Sequence, residues 1–363
     1  MTGISATGEL LDAVDEAAAL ERLHELGCTD GLPVVVPTRE RVDRMVLATG
    51  LDGDLSLGVL GPGMGVATVE LVATAAVMAG CLPDHIGLVV AAVQAIADPR
   101  FDLAEMQATT HCTAPMVIVN GPARHDCAIA SGFGALGPGH RGNAAVGRAL
   151  RLTMINIGGG RPGVADMALL GHPGKFSYCL AEAEEESPWE PWHVSQGFDA
   201  DQSVVTVIGA EAPSSAIAVL DGDDPRSCER IIRSVASVFS AVASNTSLSN
   251  GGAAVVILNP QHARALADAG HSRRDVQEAI TARSGNERDE LAALQPSRFA
   301  TGDWPAWIPC FDTPDDVVVL VAGAGGIYSM AASTWAAGPH HNRFVSVPVT
   351  LGQACAIPSV SQA

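Results

Sequence analysis

Lysine is nearly absent from this chain. Of its 21 long-chain cations only Lys175 is a lysine, so every other basic position works with a guanidinium that keeps its charge and planar shape. Cations as a class are also scarce. The 40 acidic residues leave a net charge of −19, which argues against a protein built to grip a phosphate backbone. Aromatic residues are 4% of the sequence, so the interior must pack by close approach of small side chains, and the 38 glycines suit that. No apolar run reaches the roughly 20 residues of a membrane-spanning helix; Val66–Gly80 and Ile86–Ala97 are among the longest. The N-terminus lacks the basic-then-apolar form of a secretion signal. The eight cysteines are scattered and include no CxxC pair, so neither a disulfide framework nor a zinc ribbon is expected. These absences predict a cytoplasmic protein with reduced thiols, without structural metal, membrane partner or nucleic-acid partner.

What is present is an α/β pattern. At 363 residues, 47% of them apolar, the chain exceeds the size at which a single core stops growing, about 250–300 residues. Two lobes are expected, 1–200 and 201–363. Short apolar runs closed by turn residues predict buried strands at Val34–Val36, Met116–Val119, Val204–Ile208, Ala216–Leu220, Ala254–Leu258, Val317–Val321 and Phe344–Val349. Helical spacing predicts Leu10–Leu26, a helix capped by Thr38, the apolar Val66–Ala79, and one from Asp84 or His85 to Ala97. Further helices are expected at Asn143–Ile155, at Pro225–Ser244 behind Asp223 or Asp224, and at Arg273–Ser284. The alternation predicts buried, mostly parallel strands with glycine-rich strand-to-helix turns. LPVVVPTRERVDRM, PMVIVNGPARHD and AAVVILNPQHARAL each read as apolar strand, proline turn and polar helix start. That echo is either internal duplication or common punctuation.

Chemistry concentrates in Gly171–Phe198, which holds Lys175, Tyr178, Cys179, His172, His193, Trp189, Trp192 and five glutamates, Glu182, Glu184 and Glu185 among them. A lysine kept among arginines invites a role that needs a movable charge whose pKa falls on burial. Lys175, Glu182 and Glu185 are therefore candidate acid/base residues, and Trp189 and Trp192 candidate walls of a ligand site. The bland alternative is an acidic surface loop. The downstream carboxylates are expected to hold Lys175 charged. Cys28 and Asp30 lie in the glycine-bounded turn GCTDGLP, either as a thiolate beside a carboxylate or as residues that only supply turn geometry. Cys28 is the thiol expected to react first. Asn120 closes a strand, and Arg148 and Arg151 could face a carboxylate ligand. Gly323, Gly325, Tyr328 and Ser329 follow the Val317–Val321 strand, where α/β proteins place ligands. His111–Cys112 and His125–Cys127 use the vocabulary of thiolate or metal sites, or of buried structural side chains. GPGMG and AGAGG leave a cofactor-binding variant open without naming the cofactor.

GCTDGLP, the IVNGP strand end, the GPG…GRALRL helix, NIGG, GHPGK and SPWEP resemble a bacterial family associated with thioredoxin-like proteins that carry a UGSC (selenocysteine or cysteine) motif. The likeness covers about residues 25–210 and thins towards the C-terminus, where ILNP and AGAGG remain similar. It implies a redox or sulfur-handling protein partner. No catalytic residue carries over from it, and this chain has no UGSC of its own. Two functions from different classes fit. One is an enzyme acting on a small-molecule substrate by acid/base chemistry with thiol help, of lyase or hydrolase type. The other is a non-catalytic or co-catalytic subunit that holds a thioredoxin-like partner. The enzyme is favoured, since interfaces rarely need so many titratable groups. A homo- or hetero-oligomer is expected in either case.

Overall fold

The structure, a computed structural model, describes residues 2–4, 10–222, 224, 226–242, 244–249, 251–335 and 337–350. Eight of its strands build two four-stranded sheets. In chain order they are β1 (Ala114–Asn120), β2 (Cys179–Ala181), β3 (Val204–Ala210), β4 (Ser214–Ile217), β5 (Ala254–Leu258), β6 (Val317–Val321), β7 (Tyr328–Ala332) and β8 (Val345–Pro348). The first sheet runs β8–β3–β1–β2 and the second β6–β5–β7–β4. Only β1 with β2 and β5 with β6 are parallel; the other pairings in both sheets are antiparallel. The α/β class is as expected, but the sheets are mixed rather than mostly parallel.

The layers explain the difference. Successive residues of a strand face opposite sides. Met116 and Ile118 of β1 meet Val255, Ile257, Val318 and Leu320 of the second sheet in one buried cluster. Val117, Val119, Val205 and Val207 face the other way, onto the helices Val69–Ala79, Ile86–Ala97 and Arg141–Asn156. Val256, Leu258, Val319 and Val321 face a second helical layer, made by Ser227–Phe239, Pro260–Asp268 and Arg273–Arg283. The two sheets thus stack face to face with helices on both outer sides. An unbroken apolar run reports burial on both faces, which these strands have. It does not report direction, because here a sheet supplies one cover and the chain can return without a helical crossover.

Caps set several boundaries. Thr38 Oγ1 accepts from Arg41 N ahead of the helix Arg39–Thr49, and Thr68 Oγ1 from Leu71 N ahead of Val69–Ala79. Val66–Thr68 therefore closes a hairpin, Ser56–Leu60 with Gly65–Thr68, where a longer helix was expected. Asp15 caps the first helix, Glu16–Glu25, and Leu10–Asp12 pairs instead with Thr2–Ile4. Val34 and Val36 are buried but join no sheet. Asp223 and Pro225 lie outside the described residues. The first sheet takes β3 and β8 from beyond residue 200, where the boundary between lobes was expected. β1 and β5, from two of the three echoing stretches, hold the same place in their sheets: each lies between a parallel and an antiparallel neighbour.

Candidate functional site

A cavity of about 710 Å³ is lined by Lys175, Asp166, Arg151, His172, Asp30 and the glycine turns around Gly27 and Gly160. Lys175 ends the short 3-10 turn Pro173–Lys175, which His172 caps by accepting from Gly174 N at 3.1 Å. The Lys175 Nζ donates to Asp166 Oδ1 at 2.9 Å and to the Thr113 carbonyl at 3.2 Å. From the Arg141–Asn156 helix, Arg151 donates Nη1 to Asp166 Oδ2 at 3.4 Å. Its buried Nη2 finds no acceptor among the described residues. One carboxylate therefore serves two cations, the buried Arg151 and the partly buried Lys175. Burial lowers the pKa of Lys175, and the neighbouring Arg151 charge adds to that, while Asp166 opposes both. His172 is likewise lowered by burial.

The glutamates expected to join Lys175 sit elsewhere; the carboxylate beside it is Asp166, and burial makes the net shift of its pKa downward rather than upward. β2 lies between Lys175 and Glu182, and an extended chain advances about 3.3 Å per residue, which carries the glutamates to the far end of the sheet. There Glu182 is fully buried: Oε2 accepts from Asn120 Nδ2 at 2.6 Å and Trp192 N at 2.7 Å, and Oε1 from Arg273 Nη2 at 3.3 Å. Burial pushes its carboxyl pKa up. Glu184 accepts from Asn120 Nδ2, Gly121 N and Arg124 Nη2 at 2.9, 2.8 and 2.8 Å. Arg124 also grips Glu185 through two bonds of 2.9 and 3.0 Å, and these hold the Glu185 carboxyl down to about 2. Its remaining donors reach the carbonyls of Gly121 and Glu182 at 3.1 Å. This network pins the 182–193 segment to the end of β1. Glu182, Glu185 and Asn120 are spent within it, as joints rather than as partners of Lys175.

Other expected residues also prove to be committed. Arg148 holds Asp30 through Nε at 2.7 Å and Nη2 at 2.8 Å, and the same Nη2 reaches the Pro33 carbonyl at 2.9 Å. Asp30 borders the Lys175 cavity, but its carboxylate secures the turn. Cys28 is buried and does not line the cavity, whereas Cys112 and Cys228 are only partly buried. Burial pushes the thiols of Cys81, Cys127 and Cys310 up to about 12. His125 faces Glu185, His111 faces Glu211, and Cys127 Sγ donates to the Asp84 carbonyl at 3.0 Å. Among the described residues no three His, Cys, Asp or Glu side chains are grouped to hold a metal. Ser329 is buried, accepting from Asn259 N at 3.1 Å and pairing with His262 Nδ1 at 2.8 Å. Gly323 N donates to the Ser131 carbonyl, Gly325 packs beside Gln261, and neither glycine borders the Lys175 cavity. Trp189 and Trp192 line a different cavity of about 570 Å³, with Arg273.

Three residues central to these arrangements escaped the sequence reading as site groups: Asp166, Arg124 and Arg273. Asp166 alone left a signal, as the one charged residue between Arg161 and His172 in an otherwise apolar loop. A comparison of the chain with known protein families and with curated proteins finds no match.

Proposed function

We propose that this chain is an enzyme that binds a small organic anion in the 710 Å³ cavity and acts on it by acid/base chemistry at Lys175. The observation that carries the reading is the sharing of Asp166 by Lys175 and Arg151, with Arg151 Nη2 still lacking an acceptor. A substrate carboxylate supplies the missing counter-charge, as guanidinium and carboxylate pair strongly. The volume falls within the roughly 300–1,000 Å³ of small-molecule sites. Lys175 in its neutral form takes a proton from the anchored substrate or from water. The ammonium so formed is held by Asp166 and returns the proton to the leaving group. Elimination and hydrolysis both balance in this way, which supports a lyase or hydrolase.

The test is a panel of small carboxylic acids, assayed for binding and turnover against the wild type, Lys175→Arg and Asp166→Asn. Arginine is longer and does not shed its proton. The expected result is a loss of tenfold or more in Lys175→Arg, about 1.4 kcal/mol, with thermal stability unchanged. Full activity in that variant removes the lysine from the mechanism.

A second reading, a subunit that docks a thioredoxin-like partner, is favoured by the loop at the cavity, where Val164, Leu169 and Leu170 are 76%, 78% and 96% exposed. Exposed apolar patches of this kind mark interaction surfaces. Leu170→Asp should then abolish co-elution with such a partner.

A further inference from the structure

The second cavity is separate from Lys175 and has its own unmet chemistry. It measures about 570 Å³ and lies where Trp189 and Trp192 approach the start of the Arg273–Arg283 helix, with Phe344 on its wall. Arg273 is the first residue of that helix, behind the capping Ser272. Its side chain is 7% exposed and meets Glu182 only through Nη2, at 3.3 Å. Both Nε and Nη1 of Arg273 are buried without an acceptor among the described residues, and so is Nε1 of Trp192. Three buried donors on two wall residues are thus unmatched, although buried N–H groups nearly always find a partner. The Arg273 guanidinium also lies 6.0 Å from the Trp189 ring centroid, so the aromatic wall and the charge form one surface.

We infer that this cavity binds a small aromatic monocarboxylate, its ring against Trp189, Trp192 and Phe344 and its carboxylate against Arg273 and the Trp192 N–H. A carboxylate brings two acceptor oxygens and one negative charge. The rest of the wall limits that charge. Glu190 and Asp315 also line the cavity, and Arg274 is already engaged by Asp315 and Glu278. A di- or triphosphate would meet these carboxylates as like charges, so nucleotides are disfavoured. A carboxylate without a ring would leave the indoles unused.

Benzoate is the probe, with tryptophan fluorescence and calorimetry as readouts; phthalate, benzamide and acetate are the controls. Saturable one-to-one binding of benzoate, at least tenfold tighter than any control, is the expected result. Arg273→Met alone would strand the Glu182 charge, so the variant is Arg273→Met/Glu182→Gln, checked for folding by circular dichroism. It should lose benzoate binding by tenfold or more. Trp192→Phe, which keeps a ring and removes the donor, should weaken binding about threefold, while Lys175→Arg should leave benzoate binding untouched. The inference is overturned by absence of saturable binding, by phthalate binding as well as benzoate, or by full binding in the Arg273→Met/Glu182→Gln protein. It is overturned equally if Lys175→Arg abolishes benzoate binding, which would place the probe in the other cavity and leave the proposed enzyme site standing.

Discussion

Arg124→Met is the most direct test of the charge network at the end of β1. The guanidinium is 6% exposed and makes five hydrogen bonds: one to Glu184, two to Glu185, and one each to the carbonyls of Gly121 and Glu182. Their worth differs with burial. Glu185 is 61% exposed, so its pairing is screened and contributes at most about 1 kcal/mol. Glu184 is 11% exposed and would retain, among the described residues, hydrogen bonds from Asn120 and Gly121 alone, with His193 Nδ1 3.9 Å away. Removing one partner of a buried pair costs about 3–5 kcal/mol, mostly from the uncompensated charge left behind. We expect that range for Arg124→Met in urea unfolding at neutral pH. Glu185→Gln should cost less than about 1 kcal/mol. Arg124→Met/Glu184→Gln should recover much of the loss, because neither charge is then stranded. The pH dependence has a definite sign. Arg124 holds the Glu185 carboxyl at about 2, against an ordinary 4.5. Its contribution is present above 4.5 and fades as pH falls through about 2, and this acid-side slope should shrink in Arg124→Met. A loss below about 1 kcal/mol in Arg124→Met, or an equal loss in Glu185→Gln, would refute the assignment of the network as a buried joint.

Two further outcomes follow from burial and backbone geometry. Iodoacetamide should label Cys112 well before Cys28, because Cys112 is only partly buried and Cys28 is buried; peptide mapping that finds Cys28 modified first would contradict the packing of the 27–33 turn. Gly121→Ala should destabilise by at least about 2 kcal/mol, since Gly121 has φ of 77° and an added Cβ would run into the Gln202 carbonyl oxygen; an unchanged unfolding midpoint would mean that the β1 end can relax.

The sequence showed the strands better than their pairing. Ala254–Leu258 and Val317–Val321 could be read to the residue, because an apolar run between turn signals has few alternatives. Nothing in such a run separates a helix cover from a sheet cover, and the mixed topology follows from that missing distinction. Lys175 could be singled out by composition alone, and the structure places it on a cavity wall. Its partner could not. Asp166 reaches it across a loop, while the glutamates next to it in sequence are drawn off by Arg124 and Arg273. Proximity along the chain misled because β2, short as it is, runs through the sheet from one environment to another.

The cavity around Lys175 also shows why a single lysine can matter in so acidic a protein. Arg148, Arg151 and Lys175 stand against two buried carboxylates, Asp30 and Asp166. Arg148 engages both oxygens of Asp30, at 2.7 and 2.8 Å, so most of that charge is already matched. Asp166 is the carboxylate in direct contact with the other two, at 2.9 Å from Lys175 and 3.4 Å from Arg151, with Asp30 adding a weaker attraction on Arg151. Arginine cannot relieve that shortage by losing a proton, but lysine can. The imbalance therefore has two physical outlets: deprotonation of Lys175, or arrival of an anion beside Arg151. On the proposed function each favours one half of the same chemistry, since an anion anchored by Arg151 would leave its reactive end beside an amine whose pKa is lowered by burial. Asp166→Asn removes the shared counter-charge and should drive Lys175 further towards neutrality while tightening the demand for an anion. Direct titration of the Lys175 amine by NMR checks the first effect, and a rise rather than a fall in its pKa would show that Asp166 is not the group that holds the proton there.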